Sequence, residues 1–113
     1  MTDPFPAVAE SAATGDTAEI FADIRATIGV RVVNLVWRHL AAIDDALPWA
    51  WRAVKPLYVQ GAADRAAIAF RREMVLPQLG SLAGEEPPCV DAVLACYLHS
   101  NAVILFALGA LVA

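Results

Sequence analysis

A chain of 113 residues, 59% of them hydrophobic and 18% charged, supports one domain with a single core and carries more apolar surface than an ordinary soluble domain of its size needs. The net charge of −4, with Lys55 the only lysine, argues against a nucleic-acid partner, because phosphate binding relies on clustered Lys and Arg. The apolar excess points instead to surface covered by a partner, a second domain or a membrane, and the Ala- and Arg-rich composition resembles what a high-GC bacterial gene would give.

Residues 1–15, with Pro4 and Pro6 among small residues, predict a disordered lead-in, and Met1–Glu10 lacks the basic and apolar regions of a signal peptide. The single helical domain is expected over 16–113. Asp16 followed by Glu19 fits a capping box for a first helix over 17–28, with Ile20, Phe21, Ile24 and Ile28 at helical spacing. Gly29 supplies its left-handed stop. A second helix is expected over 30–46 despite its β-branched start at Val30, Val32 and Val33. A third element, 48–55, carries Trp49 and Trp51, and Pro56 is expected to kink or break it.

A long helix over 57–76 and a loop over 77–88, rich in glycine and proline, come next. Pro88 opens the last helix, which runs to the end of the chain. Its 93–113 portion is long enough to span a bilayer. The mid-segment His99, Ser100 and Asn101, and the lack of flanking Lys or Arg, favour a core helix over a membrane span. The fold class is therefore all-α, with four to five helices.

Cys89 and Cys96 lie seven residues apart, about 10 Å along one helix and too far for a disulfide within it, so free buried thiols in a reducing cytoplasm are expected. Cys96 and His99 share a face, but the other candidate ligands, His39, Glu85 and Asp91, show no metal-site spacing, and no metal or cofactor is expected. Asp23 and Arg25, with Arg38 and His39, suggest an ion-pair cluster that locks the first two helices together. Asn34 and Asn101 are neutral amides on apolar helices. Each has the chemistry to hold a carboxylate or to satisfy neighbouring backbone.

The run Phe21-x-Asp23-Ile24-Arg25, Val30-x-Val32-Val33, Arg38-x-Leu40-Ala41 and Leu47-Pro48-x-Ala50-Trp51 resembles the first half of the DehI-type (group I) 2-haloacid dehalogenases, also called halocarboxylic acid dehydrogenase DehI. The likeness extends, more weakly, to Ser100-Asn101 and covers most of residues 16–113. It implies one repeat of an all-helical pseudo-dimer with an alkylhydroperoxidase-like helical fold and a site between the repeats. There a hydrolase cleaves the carbon–halogen bond of short 2-haloacids by direct attack of water, without a cofactor.

Carried over residue by residue, the pocket asparagine falls on Asn101, which matches. The tryptophan and phenylalanine of the halide side fall on Val32 and Leu35, and the tyrosine beside the asparagine falls on Ile104. The water-activating aspartate belongs to the second repeat, and superposing the repeats puts its position at Val36. The resemblance thus implies a half-length member that pairs with a second repeat or a second copy, and no catalytic residue is assigned. The alternatives are a non-enzymatic helical dimerisation module or an alkylhydroperoxidase-like thiol protein. The latter wants a C-x-x-C motif that Cys96 does not supply.

Overall fold

The structure, a computed structural model, describes residues 4–75 and 88–113, with Pro88 and Asp91 described by backbone alone. The expected loop over 77–88 and the candidate ligand Glu85 lie outside the described residues, apart from the Pro88 backbone. Among the described residues the regular elements are all helical: a short 3-10 turn Glu10–Ala12, then α1 (Gly15–Ile28), α2 (Leu35–Leu40), α3 (Ala46–Val59), α4 (Ala62–Glu73) and α5 (Pro88–Val112). The all-α expectation is met. The chain divides into two compact units, Met1–Gln60 and Gly61–Ala113.

In the first unit α1 and α3 pack together, with α2 against α3. The α3 stripe Leu47, Ala50, Trp51, Val54 and Tyr58 is buried at helical spacing, and Phe21 and Ile24 of α1 are fully buried, as are Trp37 and Val33. The aromatic rings interlock: Trp37 meets Trp51 edge to face at 5.6 Å, and Trp51 lies 5.8 Å from Tyr58. Trp49, on the opposite side of α3, is exposed.

Several boundaries differ from expectation. Helix α1 begins at Gly15 behind Thr14, and no side chain caps it, so the Asp16–Glu19 capping box does not form. Its stop is as expected, with Gly29 left-handed at φ 78°. The helix expected over 30–46 shrinks to the six residues of α2. The β-branched run 30–33 stays non-helical, and Asn34, extended at φ −60° and ψ 147°, caps α2 by accepting the Val36 amide at 3.1 Å.

Helix α3 runs through Pro56 to Val59. An internal proline costs about 3 kcal/mol, yet Pro56 is exposed, and the buried stripe crosses it from Val54 to Tyr58, so packing on both sides holds the helix. The break falls instead at Gly61, left-handed at φ 75°, and α4 ends at Glu73.

The lead-in is not loose over residues 5–13. The Val8 amide donates to the Arg38 carbonyl at 3.0 Å, and Glu10 anchors the segment through two oxygens. One oxygen pairs with Arg25, and the other accepts the otherwise orphaned amide of buried Val33 at 3.0 Å. A buried backbone N–H needs an acceptor, and here the lead-in provides it.

In the second unit α4 packs against α5. His99 meets Asp64 at 3.4 Å and Phe106 meets Phe70 at 5.7 Å between centroids, so the contacts advance in the same order and the two helices run in the same direction. Ala63 and Ala67 of α4, and Ala102, Val103 and Ala107 of α5, are buried. Small side chains on both helices allow close approach. The rest of α5 is largely exposed, so it is not the core helix expected from its composition.

Candidate functional site

The clearest polar constellation lies between α1 and α3. Asp23 Oδ2 accepts from Trp51 Nε1 at 2.8 Å and from Lys55 Nζ at 2.8 Å, and Asp23 Oδ1 accepts from Thr27 Oγ1 at 3.4 Å. Thr27 lies one turn beyond Asp23 on α1, and Lys55 one turn beyond Trp51 on α3. Each helix therefore presents two of the four groups on one face. The donated hydrogen bonds from Lys55 and then Trp51, with the lysine charge, outweigh burial and hold the Asp23 carboxyl below its ordinary value.

A carboxylate held this way is a weak base. Its oxygens are already engaged, and a general base working near neutral pH needs the opposite shift. The constellation is a pin between α1 and α3. The predicted cluster of Asp23 and Arg25 with Arg38 and His39 is therefore corrected: Asp23 takes Lys55 and Trp51, and Arg25 takes Glu10. His39 Nδ1 sits 3.0 Å from the Pro6 carbonyl, with the Phe5 ring edge-on at 6.2 Å. All four residues still lie in the first unit, but each helix is tied to a different partner.

The implied pocket residues divide between the units. Val32, in the non-helical segment before α2, and Leu35, the first residue of α2, are both exposed. Val36 is half-buried one residue further. In the second unit Asn101 is exposed on α5, and Ile104, one turn later, is half-buried. Within α5 these two share a broad face turned away from Asp64 and Phe70.

The thiols are free but exposed, not buried as expected, because α4 covers a different stretch of α5. His99 leans on Asp64 rather than joining Cys96 in a ligand set. Among the described residues no three His, Cys, Asp or Glu side chains converge as a metal site would require.

Sequence reasoning missed the roles of Trp51, Lys55 and Glu10. A usable signal existed for the first two: Trp51 and the only lysine stand one turn apart, beside a stripe that the buried Val54 and Tyr58 define. Glu10 gave none, since its partners depend on how the lead-in folds back. Comparison with known proteins returns no match to a family model, a curated protein or a solved structure.

Proposed function

We propose that these residues are related to the first repeat of the DehI-type 2-haloacid dehalogenases, a cytoplasmic helical repeat that builds a site only together with a second one. The observation that carries the reading is Asn101. It is a neutral amide presented to solvent on a largely apolar helix, at the position where the resemblance puts the pocket asparagine. An amide N–H donates to a carboxylate, and a 2-haloacid offers one. Its apolar neighbour Ile104 provides part of a wall for a small organic acid.

None of the positions that the resemblance implies for the pocket supplies the group that would activate water. Val36 occupies that position, Val32 and Leu35 replace the aromatic edges of the halide side, and Asp23 is committed to Trp51 and Lys55. Acid binding without turnover is therefore the expected behaviour. Titration of the chain in its single-copy form with 2-chloropropionate, followed by NMR, is expected to shift the Asn101 side-chain amide saturably while releasing no chloride above the blank. No perturbation of that amide at saturating acid would overturn the reading. Chloride release abolished by Asp23→Ala would overturn the assignment of Asp23 as a pin.

The aliphatic replacements at Val32, Leu35 and Ile104 favour a second reading, a non-enzymatic association module on the same helical frame. It shares the requirement for a partner on α5 and differs in predicting no response of Asn101 to the acid.

A further inference from the structure

Helix α5 carries a second stripe that α4 does not use. Leu94, Leu98, Asn101, Leu105, Leu108 and Val112 recur at alternating spacings of four and three residues, the repeat that makes a coiled-coil seam. At about 100° per residue, this stripe lies roughly opposite the His99, Val103 and Phe106 face. Leu94 and Leu98 are each 53% exposed and Leu105 is 59% exposed, with Tyr97 beside them at 61%. Leucines in register along one side of a helix are rarely left to water without an occupant.

We propose that this stripe packs against the same stripe of a second copy, with the two α5 helices parallel and in register. The proposal rests on the partner required above and commits it to an identical chain. Asn101 decides the register. In a parallel, in-register pair it meets Asn101 of the other copy, amide to amide, while every other layer is leucine on leucine or valine on valine. An antiparallel pair alternates the two seam positions and sets Asn101 against a leucine, where a buried amide loses its partner. A one-layer slip does the same.

A bilayer is the other environment that would cover α5, since Ala92–Val112 is long and apolar enough to cross one. The contacts with α4 disfavour it. That helix, carrying Asp64, Arg65, Arg71, Arg72 and Glu73, lies along the His99 to Phe106 part of α5, the middle of the would-be span. A span would carry those charges into hydrocarbon. The seam runs about 27 Å from Leu94 to Val112. Covering its half-exposed leucines and the flanking Tyr97 and Val90 in both copies removes on the order of 1,000 Å² from water, enough for a specific pair.

Disulfide trapping on the full chain tests this. In a Cys89→Ser, Cys96→Ser background, two differently tagged variants, Leu94→Cys and Val112→Cys, are mixed under oxidised glutathione. Homotypic links within each variant are expected, with mixed links at least tenfold rarer. Adding Leu98→Glu is expected to abolish both, with helicity by circular dichroism unchanged. Dominant mixed links would mean an antiparallel pair and overturn the proposal. So would a chain that stays unlinked and instead floats as a monomer with phosphatidylcholine vesicles. Val112, 88% exposed at the helix end, keeps the test readable even if Leu94→Cys weakens folding. Pairing occupies the Asn101 amides, so acid titration of a Leu98→Gln, Leu105→Gln chain, in which the seam is broken without added charge, reads the proposed site independently of these links.

Discussion

The two buried tryptophans of the first unit differ in one respect that mutation exposes. Trp51 donates its indole N–H to Asp23 at 2.8 Å, whereas the Trp37 indole nitrogen is buried with no hydrogen-bond partner among the described residues. Both side chains are almost wholly buried. Replacing either by phenylalanine removes a similar area, worth about 1 kcal/mol at 25 cal/mol per Å². Trp51→Phe also removes a hydrogen bond to a charged acceptor, ordinarily worth roughly 1.5–3 kcal/mol. Asp23 is 40% exposed and keeps Lys55, so about 1 kcal/mol is the appropriate share.

Trp37→Phe removes instead a buried donor without an acceptor, recovering at least about 1 kcal/mol of desolvation cost. The net costs are therefore about 2 kcal/mol at Trp51 and near zero at Trp37. Urea unfolding at pH 7, followed by circular dichroism at 222 nm, is expected to separate the midpoints by roughly 1 M at unchanged slope. Midpoints that coincide, or a larger loss at Trp37, would refute the reasoning about which tryptophan is anchored.

Asp23 adds a pH dependence to the same pin. Its carboxyl is held below the ordinary value in the folded chain, so the unfolded chain takes up the proton first. The stabilisation is fully present above about pH 4 and is lost as pH falls through the depressed folded value. Asp23→Asn is expected to flatten that acid limb in urea midpoints recorded between neutral pH and the acid transition. Gly29→Ala is expected to lower stability by about 1 kcal/mol, because φ 78° penalises a Cβ although nothing crowds the site. Thermal unfolding reads this directly. Glu10→Ala removes the acceptor of the Val33 amide and frees the lead-in, so limited proteolysis within residues 5–13 is expected to accelerate while α1 and α3 stay protected by hydrogen exchange.

Much of the fold was legible because the apolar periodicity is strong where it matters. Phe21 and Ile24 announce α1, and Leu47, Trp51, Val54 and Tyr58 announce α3. Boundaries failed where local chemistry was misread. Asn34 is a cap rather than a helical amide, Pro56 is carried by packing on both of its sides, and Gly61 breaks what looked like one helix. The extent to which α5 is left exposed was not legible, since an all-round apolar helix looks the same in a core, in a bilayer or awaiting a partner.

The polar residues were found but mispaired. Spacing shows that Asp23 and Arg25 share a helix, not that Lys55 and Glu10 reach them from other elements. Of the positions the resemblance implies for a pocket, Asn101 alone carries a polar side chain, and its seat on the outer stripe of α5 makes the proposed acid binding and the proposed pairing compete for one amide.

Sedimentation equilibrium of the intact chain tests that pairing most directly. A mass of two copies at micromolar loading, falling to one copy for Leu98→Glu with helicity retained, is the predicted result. A single-copy mass for the unaltered chain, from micromolar to millimolar concentration, would contradict the claim that α5 finds its cover in a second copy.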